Sequence, residues 1–433
     1  MAMSTPDDIM LLIFEQLVRA DGAETVWPDM LYDHRAAQAP FIVSAVCRRW
    51  RELALTASAL WTYFGFPRAT SMEELDLQRL EVLQSRVGNA PIDVVFGWDH
   101  RHEAERCNGQ SDVPFSVFEA IMGLHAQWRT VVLHVVGSAE CGWTLGEAFQ
   151  CSQWPLLESL SLAIDENQEI MPAAPRLRRM WLDCHHNAID EPFIAGGYPE
   201  LTMLSLYCDS VPILRDLAPT FGDQLIELVI IDDVDYFVKA SNAQSTRSVF
   251  SALQSLTLDD PRWLHHIDTP SLQKLLVTSY IDRVEQEALR RIDHVRELQL
   301  CGTFLTTNLA LYKSLSNITT LCFGYPSTLS TAFRKRHGKH QVNSKALLEL
   351  ESLEPLIWPH LERLHFGTAL YHSPSVGSVD QVAQDILDFV SARNSKAISP
   401  NESPVARIIE VVADHDPGAL EWFEGRLREL IES

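Results

Sequence analysis

The sequence lacks the signatures of an exported or membrane-inserted protein. Its eight cysteines are scattered without a Cys-x-x-Cys pair, which is typical of reduced thiols and not of a disulfide framework. The first residues include Asp7 and Asp8 but no basic stretch, so we do not expect a signal peptide. No apolar run approaches the roughly 18 residues that a membrane helix needs. These absences predict a cytoplasmic or nuclear protein with no membrane partner.

Positive charge is also scarce. The 433 residues include 35 Lys and Arg against 58 Asp and Glu, which gives a formal net charge of −23. Such an excess of carboxylates opposes general binding to nucleic acid or to anionic lipid, and it favours solubility. We therefore expect no nucleic-acid partner.

The motifs of common catalytic and metal sites are missing as well. The sequence has no Gly-rich phosphate loop, H-E-x-x-H, G-x-S-x-G or zinc-spaced Cys/His set. The run Cys184-His185-His186 suggests a metal, but consecutive residues of a strand point to opposite faces and no second cluster is suitably spaced. We expect no metal, no cofactor and no catalytic residue, and we keep an enzyme only as a third alternative.

The N-terminal part of the chain is predicted to be helical. Pro6 followed by two acidic residues makes a good helix start, and apolar residues then recur at helical spacing. Residues 20–39 are predicted to form a connection, after which Pro40 opens the next helix. That helix leads into the passage Val46–Trp61, whose two tryptophans have too little chain around them to be enclosed. They need another surface, either in this chain or in a partner.

These residues resemble an F-box, in the F-box-like form common in basidiomycete fungi. The first matching stretch is Pro6-x-x-Ile9-x-x-x-Ile13-Phe14-x-x-Leu17. The second is Val46-Cys47-Arg48-Arg49-Trp50-Arg51-Glu52-Leu53-Ala54, with Leu60-Trp61 after it. The sequence departs from the family in an insertion between the first two helices and in Asp7-Asp8, where members often show Pro-Glu or Glu-Ile.

The resemblance implies that this segment docks on the Skp-type adaptor of a Skp–cullin–F-box (SCF) ubiquitin ligase. The docking face that it implies consists of Pro6, Ile9, Ile13, Leu17, Val46, Cys47, Trp50, Leu60 and Trp61. Some of these side chains must form the small core of the helical unit itself. The alternative is that Trp50 and Trp61 pack on the following part of the chain, so that the unit serves as an N-terminal cap.

A repeat of the form L-x-x-L-x-L occupies much of the remaining chain. Its nine apolar trios begin at Leu157, Leu177, Leu201, Leu225, Leu253, Leu272, Val295, Ile318 and Leu361. All spacings but the last lie within or near the period of about 20–29 residues that leucine-rich repeats show. Each trio would put three side chains of a short strand into a core that only the neighbouring repeat can close.

The predicted fold is therefore an α/β solenoid with a parallel strand stack. Residues 1–67 form a small helical F-box-like domain, and residues 68–433 form a solenoid that resembles irregular leucine-rich repeats. Segments such as Val284–Ile292 return as helices between strands. Val405–Val412 is predicted to be the last strand, and a cap helix beginning at Asp416-Pro417 closes the chain.

One candidate substrate surface is the row of strand positions that alternation turns away from the core. These residues are Arg179, Trp181, Asp183, Tyr207, Lys274, Arg363 and His365. Trp, Tyr and Arg are the residue types that dominate interaction hot spots, which favours a protein partner. The alternative is that loops or helices cover this row.

The second candidate surface is a basic segment. No Asp or Glu occurs from Leu298 to Leu348, whereas this stretch contains the cations Arg334, Lys335, Arg336 and Lys339. In so acidic a protein, such a segment could steer an acidic or phosphorylated partner. It also matches a short nuclear-localisation cluster, and a solvated loop is the third interpretation.

Together these patterns predict a non-catalytic substrate-recognition subunit of an SCF ubiquitin ligase. The helical domain would bind the adaptor, and the repeats would bind a protein substrate. The alternative is a leucine-rich-repeat scaffold or binding protein with no ligase role, whose helices only cap the solenoid.

Overall fold

The structure is a computed structural model of the 433-residue chain. It describes residues 6–18, 33–66, 73–99, 115–136, 153–164, 173–183, 197–207, 212–231, 247–278, 291–300, 309–323, 348, 351–353, 356–366, 379–398, 405–413 and 421–432. The chain divides into two compact units, Met1–Asp209 and Ser210–Ser433.

The first unit begins with three helices, α1 (Asp7–Val18), α2 (His34–Val46) and α3 (Arg48–Thr56). A short 3-10 turn, Ser58–Trp61, follows them. The acidic first turn of α1 complements the positive end of the helix dipole, as the sequence predicts.

The second helix begins earlier than its proline indicates. The prediction that residues 20–39 form a connection is wrong for the residues from His34 onwards, which are already helical. The physical reason is an N-cap, because the Asp33 carboxylate accepts hydrogen bonds from the backbone N–H groups of Arg35 and Ala36 at 2.7 and 3.0 Å. Pro40 therefore lies inside α2 and does not open it.

Six parallel strands follow within the described residues of the first unit. They are β1 (Tyr63–Phe66), β2 (Ile92–Asp99), β3 (Trp128–Val136), β4 (Ser159–Ile164), β5 (Arg179–Asp183) and β6 (Met203–Tyr207). The amphipathic helix α4 (Glu73–Val87) connects β1 to β2, and the helix Phe115–Met122 lies between β2 and β3. Strand β1 belongs to this sheet, although the boundary predicted at residue 67 assigns it to the helical domain.

The second unit repeats the same arrangement. In order along its sheet, the strands are β7 (Glu227–Ile231), β9 (Ser255–Leu258), β11 (Lys274–Val277), β12 (Glu297–Leu300), β13 (Thr320–Phe323), β14 (Arg363–Phe366) and β15 (Glu410–Ala413), all parallel. The short strands β8 (Ser248–Val249) and β10 (Ile267–Asp268) pair separately. The described helices of this unit are Pro212–Phe221, Leu309–Ser314, Val379–Ile398 and Glu421–Glu432.

The nine trios account for nine of these strands. Each strand from β4 to β7, β9, and β11 to β14 begins two residues after the first member of its trio. That first member closes a turn, as in Leu177, whose N–H donates to the Ala174 carbonyl oxygen at 3.0 Å. Every trio member is at most 4% exposed. The predicted parallel strand stack with a shared apolar core is therefore confirmed at the level of an α/β parallel sheet.

Several predicted segments differ from the structure or fall outside it. The last strand is Glu410–Ala413, shorter than the predicted Val405–Val412, and the closing helix is Glu421–Glu432. Its predicted cap, Asp416-Pro417, lies outside the described residues. In the predicted helix Val284–Ile292, residues 284–290 also lie outside them, and the last two residues form a turn.

Candidate functional site

The first helix carries apolar side chains on two faces. One face is buried and consists of Met10, Phe14 and Val18. The other face is between 46% and 60% exposed and consists of Ile9, Leu12, Ile13 and Leu17. Residues three and four apart are neighbours on a helix surface, so this second set forms one continuous patch. An amphipathic helix of a self-sufficient domain would carry polar residues there.

Further exposed side chains lie where α2 ends and α3 begins. Val46 is exposed, and so is the Cys47 thiol. The Arg49 guanidinium bonds the Asp7 carboxylate at 2.5 Å, which ties the first turn of α3 to the first turn of α1. Val46 and Cys47 therefore lie at the same end of the helical unit as Ile9. We call Ile9, Leu12, Ile13, Leu17, Val46 and Cys47 the apolar face.

Trp61 and Leu60 do not belong to an exposed surface, contrary to the docking face predicted for them. Both side chains are fully buried. The Trp61 Nε1–H donates to the Ala54 carbonyl oxygen at 2.7 Å, and the Phe41 ring meets the indole edge-on at 5.3 Å. The Arg86 guanidinium of α4 lies 4.1 Å from the indole centroid. Trp61 is thus a core residue that joins the 3-10 turn to α2 and α4.

Trp50 has an intermediate position. It is partly exposed, and its ring contacts Phe14 edge-on with the centroids 5.0 Å apart. Pro6, at the start of α1, is exposed. Of the nine predicted docking residues, Leu60 and Trp61 form the core, Trp50 bridges core and surface, and the remaining six are exposed.

The helical unit covers one face of the first strands. Ala36 and Ala37 of α2 form a buried apolar cluster with Tyr63 of β1, Val95 of β2 and Val132 of β3. The Asp33 N–H donates to the Tyr63 hydroxyl at 2.9 Å. This hydrogen bond and the buried cluster join α2 to the first strands.

The predicted substrate row splits into two lines along the strands. At the first residue of their strands, Arg179 and Arg363 are exposed and Lys274 is half-buried, whereas Ser159 at the start of β4 is fully buried. We call the partly or fully exposed positions of this kind the accessible line. Positions two residues later are mostly buried, including Trp181 at 5% exposure, whereas His365 is half-buried. Trp181 is therefore no surface residue. Its register neighbours are Ser161 and Ser205, small side chains that leave room for a buried indole.

The remaining candidates lie partly or wholly outside the described structure. Asp183 and Tyr207 are the last residues of β5 and β6, and the structure describes only their backbones. The basic cluster Arg334, Lys335, Arg336 and Lys339 lies outside the described residues.

Within the second unit, the accessible line forms a polar groove at the start of five strands. Its volume is about 310 Å³, and it is lined by Ile226, Glu227, Gln254, Ser255, Gln273, Lys274, Arg296, Glu297, Thr319 and Thr320. A regular backbone ladder supports it. The Gln254 carbonyl oxygen accepts from the N–H groups of Gln273 and Lys274 at 2.8 and 2.9 Å. The same pair of hydrogen bonds to one carbonyl oxygen recurs on the following strands. The groove floor is accordingly a hydrogen-bonded backbone surface.

Most charges in the groove compensate one another. Lys274 Nζ bonds Glu297 at 2.6 Å. Burial raises the pKa of Glu227, and the attraction of Lys274 opposes that rise. The Arg296 guanidinium has no hydrogen bond or ion pair with the described residues. With the glutamine amides and the hydroxyls beside it, this groove suits hydrogen bonding to a polar segment of a protein.

Cysteine reactivity offers a check on these surfaces. Burial and the neighbouring Glu297 carboxylate raise the pKa of the Cys322 thiol to about 12, whereas Cys47 is exposed. At pH 8, on the order of one Cys322 in 10⁴ is then thiolate. We expect N-ethylmaleimide to modify Cys47 readily and Cys322 only in denaturant, as read by peptide mass spectrometry. Equal rates in the folded protein would contradict this placement.

Comparisons with known proteins identified no relative of this chain. No protein-family model and no curated protein matches this chain. Among the described residues, no group of three or more His, Cys, Asp or Glu side chains could hold a metal ion. The helices that the structure describes include none with the length and apolar character needed to cross a membrane.

Proposed function

We propose that this chain is a substrate-recognition subunit of an SCF ubiquitin ligase. In this proposal the helical unit binds a Skp-type adaptor, and the accessible line of strand positions binds a protein substrate. The chain itself makes and breaks no bonds. Its contribution is proximity, because it would hold a substrate lysine near ubiquitin carried by other subunits.

The second apolar face of α1 is the single observation that carries this proposal. Isolated exposed apolar side chains are normal on protein surfaces. Four on one face of a 12-residue helix form a contiguous patch of the kind that marks interaction sites. Val46 and Cys47 add exposed side chains near the first turn of that helix. Fully burying one such side chain is worth about 1.5–3 kcal/mol, so the patch can supply a substantial binding free energy.

The substrate surface in this proposal is polar. The groove of the second unit offers amides, hydroxyls and the Arg296 guanidinium, which has no charge partner among the described residues, rather than an apolar cleft. An acidic or phosphorylated substrate segment would find its charge partner in Arg296, and the basic cluster around Arg334–Lys339 could steer it. The scattered cysteines fit a cytoplasmic or nuclear site of action.

Adaptor binding tests the proposal directly. We expect purified Skp-type adaptor to bind the wild-type protein and to lose affinity on the order of 10²-fold with Ile13→Asp, because a carboxylate would be buried in the apolar contact. Leu75→Asp is the matched control. Leu75 is 52% exposed on α4, outside the apolar face, and its replacement should leave affinity unchanged. Titration calorimetry measures both, and adaptor should also shield Cys47 from N-ethylmaleimide.

A scaffold without a ligase role is the second candidate function. The contact of Ala36 and Ala37 with Tyr63, Val95 and Val132 favours this candidate, because α2 shields these side chains of the sheet from solvent. A folded wild-type protein that fails to bind adaptor would support the scaffold and refute the adaptor-docking proposal. Equal binding by wild type, Ile13→Asp and Leu75→Asp would refute docking through the apolar face.

A further inference from the structure

Four neighbouring strands of the second unit present a row of exposed side chains just before they begin. The strands β7, β9, β11 and β12 are adjacent in the sheet, and their register places the residues that precede them side by side. In strand order these residues are Ile226, Gln254, Gln273 and Arg296, and we call them the anchor row. All four are exposed and line the polar groove.

The main chain of the anchor row is already committed to the sheet. Each of its four carbonyl oxygens accepts two N–H groups from the next strand. The Gln273 carbonyl oxygen, for example, accepts from Arg296 and Glu297, both at 2.9 Å. The Arg296 carbonyl oxygen also accepts from the Thr319 hydroxyl at 3.3 Å. A partner at this surface is therefore recognised by the side chains of the row and not by an added strand.

The side chains of the row differ from one end to the other. Ile226 is an apolar side chain that is 43% exposed. At the other end, the Arg296 guanidinium has no charge partner among the described residues. The next line of the groove, one residue further along each strand, carries the carboxylates of Glu227 and Glu297 against the single ammonium of Lys274. A ligand group with one negative charge balances Arg296, whereas a second negative charge would be repelled by these carboxylates.

The spacing of the two ends matches an extended peptide. Adjacent strands lie about 4.8 Å apart, so the positions of Ile226 and Arg296, three strand spacings apart, are separated by about 14 Å. An extended chain advances about 3.4 Å per residue, and its alternate side chains share a face, so residues four positions apart lie about 14 Å apart on one face. A helix with its side chains is about 10–12 Å across, which is too wide for a groove of about 310 Å³ that spans five strands.

We propose that the anchor row binds an extended segment of the substrate protein in which an apolar residue and a glutamate or aspartate stand four positions apart. The apolar side chain packs on Ile226, and the carboxylate pairs with Arg296. The residue midway between them points to the same face and meets the amides of Gln254 and Gln273, which favours a polar side chain there. This inference rests on the proposed function and names the kind of substrate segment that its polar surface takes.

Defined peptides test the proposal. The probes are fluorescein-labelled peptides with leucine and glutamate four positions apart in a serine and glycine background, made in both orders and titrated with full-length protein by fluorescence anisotropy. We expect saturable binding of one order. Affinity should fall about tenfold or more when glutamine replaces glutamate, when serine replaces leucine, or when the two stand only two positions apart. Phosphoserine in place of glutamate should bind no more tightly.

Variants locate the two ends of the peptide. Arg296→Gln should weaken binding about tenfold, whereas Arg428→Gln removes the same charge from an exposed site outside the groove and should leave binding unchanged. Arg296→Glu should prefer a peptide with lysine in place of glutamate, because the charges are then exchanged. Ile226→Ser should weaken binding of the leucine peptide, and Val249→Ser, which alters an exposed apolar side chain of the same unit outside the groove, should not.

The failure of this inference and the failure of the ligase proposal give different results. Ile13→Asp should bind the peptide as the wild type does. Adaptor binding without peptide binding would refute the substrate assignment alone, and peptide binding without adaptor binding would refute the ligase role alone.

Four outcomes would overturn the substrate assignment. Equal losses in Arg296→Gln and Arg428→Gln would place the peptide elsewhere, and affinity that ignores the spacing would exclude the two-ended fit. Tighter binding of the phosphoserine peptide would contradict the selection for a single charge. Light scattering that shows a concentration-dependent dimer, lost in Arg296→Gln, would identify a second copy of the chain as the occupant.

Discussion

Replacing Trp61 with alanine is expected to lower the free energy of unfolding by about 3–5 kcal/mol, the usual cost of truncating a buried large aromatic side chain. The substitution removes the ring contact with Phe41 and the cation–π contact with Arg86. It also leaves the buried Ala54 carbonyl oxygen without the indole N–H that satisfies it. Chemical denaturation followed by far-ultraviolet circular dichroism measures the loss.

Trp50→Ala is the matched control for this prediction. Trp50 is partly exposed and, among the described residues, its ring contacts one other ring, that of Phe14, so its truncation should cost only about 1–2 kcal/mol. Trp61→Phe should fall between the two alanine variants, because it keeps a ring in the site and loses the N–H. Equal losses for Trp50→Ala and Trp61→Ala would contradict the burial that separates these residues.

The contrast decides which variants can test adaptor binding. A Trp61→Ala protein that failed to bind adaptor would report the unfolding of the helical unit as readily as a lost contact. Ile13 is exposed and contributes little to the core, so Ile13→Asp alters the apolar face and should spare the fold. The sharper test of docking therefore lies on α1 and not on the tryptophans.

The strand positions were predictable from the sequence because a local pattern determines them. In each trio the first residue closes a turn and the next two point into the core, and both properties follow from spacing within six residues of chain. The amphipathic helix Glu73–Val87 was predictable for the same reason. Neighbouring repeats then align in register because equivalent trio positions stack, as Leu160 does on Met180.

Features that depend on distant partners could not be read from the sequence. The resemblance to an F-box assigns both Trp61 and Ile13 to the docking face. Only the positions of Phe41 and Arg86 in the structure show that the Trp61 indole is covered. Trp181 occupies an outward strand position and is buried all the same, between the serines of two neighbouring strands. Alternation predicts the face to which a side chain points, but not what covers that face.

A buried ion pair in the second unit is the clearest feature of this kind. Arg393 lies in the helix Val379–Ile398, whose pattern gives no sign that a charged residue is internal. Its side chain is 1% exposed, and its Nη1 bonds the buried Glu351 carboxylate at 2.8 Å. The guanidinium also donates to the carbonyl oxygen of Trp358, a residue held at φ 58° in the left-handed region. Burial lowers the pKa of Arg393, and Glu351 opposes that shift.

Arg393→Ala is expected to destabilise the second unit by about 3–5 kcal/mol, because it leaves the Glu351 carboxylate buried without its main partner. Lys396→Ala is the control. Lys396 lies 3.2 Å from the same carboxylate but is partly exposed, so its loss should cost under about 1 kcal/mol. The double variant Glu351→Leu with Arg393→Met removes both charges and should recover part of the stability lost in Arg393→Ala. Urea unfolding of the wild-type protein and the three variants measures these differences.

Similar unfolding midpoints for Arg393→Ala and Lys396→Ala would show that the Arg393–Glu351 pair does not stabilise the fold. A lower midpoint in Arg393→Ala alone would show that this pair joins the helix Val379–Ile398 to the segment before β14.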